Sequence, residues 1–186
     1  MLVELSKKTL VGTVGYHVLG NHSMPPMLFS HLQKLDLPEY VKVDELNWGP
    51  VAVVQMFEAE QPPFERVVIL CAIEREGRNI GDIDILKWGG GLPDEQQIQA
   101  CVGDAATGVI SVENLLVIGE YFKVWKDEVY LVDVEPGMEI AGEKLTDEME
   151  SKIPDIISVI RSLATGKLTG LQEMKVIRGD TLFVEK

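Results

Sequence analysis

Cysteine is scarce in this chain, which has two, Cys71 and Cys101, among 186 residues. Two cysteines in apolar surroundings are too few for a disulfide framework and fit a reducing compartment, where buried thiols behave as small hydrophobic groups. No apolar run approaches the roughly 18 residues of a membrane-spanning helix, and the N-terminus lacks the charged and then apolar order of a signal peptide. We therefore expect a soluble cytoplasmic protein.

Positive charge is scarce as well, with 17 Lys and Arg residues against 30 Asp and Glu residues, a net charge of −13. This excess of negative charge repels phosphate backbones and anionic lipids, and no local Lys or Arg cluster reverses it. Nucleic acid and membrane are therefore not expected partners. The length and the 46% hydrophobic content suit one well-buried core.

Strand and helix patterns alternate along the chain. Residues 66–73 contain seven consecutive apolar residues without alternation, which predicts a parallel strand buried on both faces. Further strands are predicted over residues 9–16, 41–46, 82–88 (as an edge strand) and 129–134, and helices over residues 27–35, 50–57, 111–122 and 146–163. The pattern predicts an α/β fold, a three-layer α/β/α sandwich with a mostly parallel twisted sheet, over residues 1–167. Residues 168–186 are expected to add a C-terminal hairpin turning at Gly179-Asp180.

Reactive side chains are predicted at the carboxyl ends of the strands, where open parallel sheets bind ligands. Cys71 lies at the end of the central strand, and Asp44 lies near the end of the second one. The loop after the first strand contains His17 and then Gly20-Asn21-His22-Ser23. These positions are the first candidates for a functional site.

Three segments carry a resemblance to a known family. They are Leu37-Pro-Glu-Tyr-Val-Lys-Val-Asp44 before Gly49, Arg66-Val-Val-Ile-Leu-Cys-Ala-Ile73 before Gly81-Asp-Ile83, and Val132-Asp-Val-Glu-Pro-Gly137 before Gly142 and Leu145-Thr-Asp147. In this order and spacing the chain resembles the hydrogenase maturation endopeptidases, proteases that trim the C-terminus of nickel-iron hydrogenase large subunits. The resemblance covers about residues 9–165. It implies that family's fold and a hydrogenase large-subunit precursor, or a related protein, as the partner.

The family recognises nickel through three side chains, and the resemblance implies that all three are replaced here. A carboxylate follows the family's first Gly-Asn loop, but this chain has no Asp or Glu between Leu5 and Leu35. The family's aspartate before an alanine at the end of the central strand corresponds to Cys71. The family's His-x-x-Gly pattern, which opens a helix, corresponds to Ala105-Ala-Thr-Gly108, with Asp104 one position earlier. No cofactor is otherwise indicated, so nickel is an expectation from resemblance alone.

A rebuilt site would draw on residues near the same edge. The candidate catalytic residues are Cys71, Asp104 and Asp44, the candidate substrate-groove residues are Gly20, Asn21, His22 and Gly108, and the candidate metal ligands are His17, His22 and Cys71. Structural roles remain open for each of them: Cys71 as an inert core thiol, the histidines as surface or helix-packing residues, and the two aspartates as turn or helix caps.

Three functions remain open. The first is a divergent maturation protease that acts on or binds the C-terminal region of a hydrogenase large-subunit precursor through a degenerate or rebuilt metal site. The second is a non-catalytic binding or chaperone protein on the same fold. The third is a cysteine-dependent hydrolase that uses Cys71. The oligomeric state is left open by the sequence.

Overall fold

A computed structural model describes residues 6–109, 111–168 and 173–183. The strands are β1 (Thr9–Thr13), β2 (Val41–Glu45), β3 (Arg66–Ala72), β4 (Ile83–Trp88), β5 (Glu128–Val134) and β6 (Lys175–Ile177). The helices are α1 (Met24–Gln33), α2 (Pro50–Ala59), α3 (Glu95–Thr107), α4 (Val112–Tyr121) and α5 (Asp147–Ala164), and a short 3-10 turn over Gly20–Ser23 precedes α1.

The strands form one twisted sheet in the order β2-β1-β3-β5-β4-β6. The first four strands of this order are parallel, β4 runs antiparallel to β5, and β6 runs parallel to β4. The carboxyl ends of β2, β1, β3 and β5 therefore meet at one edge of the sheet. The register places Cys71 of β3 directly opposite Asp133 of β5 at that edge.

Helices cover both faces of the sheet, which confirms the predicted three-layer α/β sandwich. On one face, alternate residues of β3 such as Val67 and Ile69 pack with Leu116 of α4. On the other face, Val68 and Leu70 of β3 pack among residues of α1 and α5. Residues 67–71 of β3 are all buried, as expected for an unbroken apolar run between two helical layers.

Two predictions about the far side of the sheet are wrong. β4 is not an edge strand, because β6 pairs with it on the side away from β5. Within residues 173–183 the predicted hairpin does not form, because residues 179–183 lie in turns and β6 pairs with β4 instead of with a following strand. A Cβ at Gly179 would lie 2.1 Å from the carbonyl oxygen of Gly91, so only glycine fits at this close approach. Residues 169–172 and 184–186 of the predicted hairpin lie outside the described residues.

Within residues 6–109, 111–168 and 173–183, no single helix has the length and apolar content needed to cross a membrane. α3 and α4 meet that criterion when taken together, as a pair bent by 113°.

Candidate functional site

A cleft of about 260 Å³ lies at the carboxyl edge of the parallel strands. Its walls come from four places: the loop after β1, the end of β3, the start of α4 and the loop after β5. The residues that line it are Val14, Gly15, Tyr16, Leu19, His22, Cys71, Ala72, Ile73, Glu74, Ser111, Val112, Glu113 and Glu139. The strand topology thus places the cleft where open α/β sheets hold their ligands.

Cys71 lies in the floor of the cleft with 2% of its surface exposed. Burial, with the carboxylates of Asp133 and Glu113 nearby, raises the pKa of the Cys71 thiol well above 9.0. Its Sγ lies 3.8 Å from the carbonyl oxygen of Val132, which accepts a weak hydrogen bond. Because a nucleophile or metal ligand must be a thiolate, this environment favours an inert thiol.

Asn21 fastens the loop after β1 to the loop after β5. Its buried amide Nδ2 donates to the carbonyl oxygen of Pro136 (3.0 Å) and to Thr146 Oγ1 (3.1 Å), and its Oδ1 accepts from the backbone N–H of Thr146 (2.9 Å). His22 adds a contact of 3.0 Å between Nε2 and the carbonyl oxygen of Gly137, which requires the ring to carry its proton on Nε2. Both residues therefore shape the cleft wall, and His22 also lines it.

Gly20 belongs to the same connection. Its backbone N–H donates to the carbonyl oxygen of Gly142 (2.9 Å), and the N–H of Gly142 donates to the carbonyl oxygen of Val18 (3.0 Å). Gly20 has φ +53, and a Cβ there would lie 2.9 Å from the carbonyl oxygen of Ile140. A glycine is therefore required where the two loops approach each other.

Besides Gly20 and Asn21, which support the cleft wall, four further predicted site residues lie outside the cleft lining. His17 is exposed, and Asp44 accepts from the backbone N–H of Glu45 (2.9 Å) and pairs with a lysine on its own strand. Asp104 is exposed on α3, where its Oδ2 lies 3.4 Å from Asn114 Nδ2. Gly108 ends α3 with φ +83, so residues 105–108 close a helix and do not open one as the resemblance implied.

The described residues do not fit a nickel ion. Across residues 6–109, 111–168 and 173–183, no three His, Cys, Asp or Glu side chains are grouped so that they could hold a metal. His17, His22 and Cys71 are thus not brought together as a ligand set. Since the Cys71 thiol is also neutral, the donors that nickel prefers are not assembled here.

Three glutamates that sequence reasoning missed do line the cleft: Glu74 after β3, Glu113 in the first turn of α4 and Glu139 after β5. Glu113 was within reach of prediction, because the helix predicted over residues 111–122 is present and the hydroxyl of Ser111 caps it by accepting from the N–H of Asn114 (3.1 Å). The resemblance drew attention to residues 105–108 instead. The cleft is consequently acidic, although neither candidate aspartate contributes to it.

A buried ion network beneath the cleft was also missed. Asp133 is fully buried and binds Arg75 Nε (2.6 Å) and Arg78 Nη2 (3.0 Å). Glu135 is 2% exposed and binds Arg78 Nε (3.1 Å) and the backbone N–H groups of Arg75 (2.7 Å) and Gly137 (2.9 Å). The signal was Asp133 within an apolar strand, because a buried carboxylate requires cationic partners.

The fold resembles those of known hydrogenase maturation proteases. The hydrogenase maturating endopeptidase HybD from E. coli shares 19% identity with a TM-score of 0.61, covering 88% of this chain and 94% of that one. A hydrogenase 2 maturation peptidase from a Thaumarchaeota archaeon shares 22% identity with a TM-score of 0.57, covering 89% of this chain and 100% of that one. A [NiFe] hydrogenase maturation protease from Thermococcus kodakarensis shares 15% identity with a TM-score of 0.55, covering 84% of this chain and 99% of that one. Scans against protein-family models and curated proteins gave no match. The predicted resemblance is thus confirmed at the level of the fold.

Proposed function

We propose that this protein is a divergent, protease-like member of the hydrogenase maturation group that binds the C-terminal region of a hydrogenase large-subunit precursor, or of a related protein, without cutting it. The shared fold supports the choice of partner, because the solved structures of similar fold are named as hydrogenase maturation proteases. The cleft at the carboxyl edge of the sheet is the proposed binding site.

The observation that carries the non-cleaving part of the proposal is the state of Cys71. The resemblance places this residue where the family has a metal-binding aspartate, and here the position holds a neutral thiol that is 2% exposed. A nearby base could convert the thiol into a nucleophile, but the Cys71 thiol donates its hydrogen bond to the backbone carbonyl oxygen of Val132. The arrangement therefore favours binding over both metal-dependent and cysteine-dependent hydrolysis.

The test uses the purified full-length protein and the large-subunit precursor of a [NiFe] hydrogenase from the same organism. The two proteins are mixed with and without nickel, separated by size-exclusion chromatography, and the precursor is weighed by mass spectrometry. We expect a complex that forms without nickel and a precursor of unchanged mass. Nickel-dependent shortening of the precursor would establish a protease, and failure to form any complex would remove the proposed partner.

A matched pair of variants localises the contact. Ile140 follows the cleft-lining Glu139 in the loop after β5 and is 63% exposed, whereas Val176 lies on β6 and is 60% exposed. Ile140→Asp should weaken the complex, and Val176→Asp, of similar size and exposure, should leave it unchanged. The same loss from both variants would place the partner elsewhere on the surface.

A further inference from the structure

We infer that two copies of this chain pair through β2, in antiparallel register about Val43, so that their sheets join into one continuous sheet. A two-fold axis through Val43 relates the copies. The carboxyl edges of the two sheets then face opposite directions, and no residue of β2 lines the cleft, so both clefts stay open. The dimer is therefore independent of the proposed function.

β2 is an edge strand, with β1 on one side and no strand of the described chain on the other. The N–H of Leu46 donates to the carbonyl oxygen of Thr13, and the carbonyl oxygen of Tyr40 accepts from the N–H of Thr9, both at 2.9 Å. The even-numbered residues therefore direct their backbone groups toward β1, and the alternation along a strand directs the N–H and C=O of Val43 outward. An unpaired edge of this kind is a template for another strand.

The charges of β2 select one register for a second copy. In an antiparallel pair, opposite residues either both direct their backbone groups at the partner or both direct them away, so a two-fold axis passes through a residue and not between two. An axis through Lys42 or through Asp44 would set that residue against its own copy, with like charges opposed. An axis through Val43 instead sets Lys42 of each copy opposite Asp44 of the other. This register alone, among the three through the middle of β2, gives two opposite-charge pairs.

Both charged side chains are accessible to a second copy. The side chain of Lys42 is 45% exposed and that of Asp44 is 31% exposed, and within one copy Nζ lies 3.5 Å from Oδ2. Lys42 Nζ also lies 3.3 Å from Glu60 Oε2, and its three donors let it keep this contact while it binds Asp44 of the other copy. A lysine in an edge strand normally discourages pairing, but in this register the aspartate two residues later offsets its charge.

The other face of this edge is apolar and open. Val41 and Val43 are half-buried, and together with Leu35 and Leu37 they line a cavity of about 300 Å³ beside the strand. On this face, Val43 of the second copy would lie directly against Val43, with Cα atoms at the roughly 5.5 Å of a hydrogen-bonded pair. The pairing thus combines backbone hydrogen bonds with apolar contact on one face and two ion pairs on the other.

Sedimentation equilibrium of the full-length protein measures the dimer directly. At an ionic strength of about 0.15 M, screening weakens the long-range repulsion between two copies of net charge −13 but acts less on charges in contact. We expect a monomer–dimer equilibrium in which hydrogen exchange of the Val43 amide slows as the protein concentration rises, whereas the Lys42 amide, already bonded to β1, does not change. A protein that stays monomeric up to about 1 mM, or a dimer without this protection at Val43, would overturn the inference.

Matched charge variants test the register. Lys42→Glu and Asp44→Lys each set like charges opposite one another and should each weaken the dimer about tenfold. A mixture of the two variants should form a heterodimer, seen by native mass spectrometry, because each new side chain then meets an opposite charge; this rescue also shows that both variants are folded. The controls Lys126→Glu and Asp127→Lys make the same charge changes at exposed positions before β5 and should leave the dimer unchanged. A dimer indifferent to both β2 variants, or a mixture that does not pair, would overturn the inference.

Discussion

Removing Arg78 should expose how strongly the fold depends on the ion network under the cleft. Arg78 is 11% exposed and binds Asp133 Oδ1 at 3.0 Å and Glu135 Oε2 at 3.1 Å. It also donates to the carbonyl oxygens of Ile73 (2.6 Å) and Asp133 (3.1 Å). Arg78→Met keeps much of the side-chain volume but leaves two buried carboxylates short of a cation.

The expected loss in the free energy of unfolding depends on the contacts that Asp133 and Glu135 keep in Arg78→Met. Breaking a buried ion pair by removing one partner costs about 3–5 kcal/mol. Here Arg75 still binds Asp133, and two backbone N–H groups still bind Glu135. We therefore expect the lower end of that range, about 3 kcal/mol, which for a domain of this size corresponds to a Tm that is about 6–12 °C lower.

Urea unfolding at pH 7 measures the free energy of unfolding. Arg161→Met is the control, because Arg161 is exposed on α5, and the free energy of unfolding of this variant should stay within about 0.5 kcal/mol of that of the unmodified protein. A double-mutant cycle with Asp133→Asn should give a coupling energy of about 1–3 kcal/mol. A cost below about 1 kcal/mol for Arg78→Met, or simple additivity with Asp133→Asn, would refute the reasoning.

The remaining predictions concern thiol reactivity, acid stability and loop connection. Because burial raises the pKa of the Cys71 and Cys101 thiols above 9.0, both should react slowly with iodoacetamide at pH 7 until urea unfolds the protein; rapid native labelling of Cys71 would revive the cysteine-hydrolase alternative. Burial alone would raise the pKa of Glu128, but hydrogen bonds from Lys7 and Arg66 outweigh burial, and the pKa of Glu128 lies below 4.5 in the folded protein. The contribution of Glu128 to stability is therefore complete above about pH 4.5 and is lost as the pH falls through the folded-state pKa. Glu128→Gln should flatten that part of the unfolding free energy against pH, and an unchanged profile would contradict the assignment. Asn21→Ala removes the side-chain hydrogen bonds to Pro136 and Thr146 and leaves the Thr146 N–H without its acceptor, so the free energy of unfolding should fall by about 2–3 kcal/mol in urea titrations. A change below about 0.5 kcal/mol would count against the connection between the loops.

The sheet was predictable because its strands are marked by composition. The apolar run of β3 and the helical patterns over residues 111–122 and 146–163 predicted elements that the structure confirms to within one or two residues. α3 was missed because its apolar content is low and Cys101 is its one fully buried residue among those described. The place of β6 depends on pairing with β4 across a long sequence separation, which local patterns do not reveal.

The candidate site was predicted less well, because side chains from distant segments form it. Cys71 and His22 were expected at the cleft and do line it, since Cys71 lies near the carboxyl end of β3 and His22 lies in the loop after β1. Asp44 was expected there too, but β2 is the edge strand and its carboxyl end lies one strand further from the cleft, with β1 between it and β3. Glu113 comes from a helix start, and a position of this kind can be assigned to the cleft only after the path from β4 through α3 is known.

The buried charges explain why restoring an aspartate at position 71 would not by itself rebuild a metal site. The residue faces Asp133 across neighbouring strands, and the arginines that neutralise Asp133 are already bound to it and to Glu135. A second carboxylate there would have a desolvation cost without a free cation to offset it. The loop after β1 would still lack a carboxylate, because residues 6–34 contain neither Asp nor Glu. The proposed change from metal recognition to binding therefore involves the cleft and its supporting network together, and not position 71 alone.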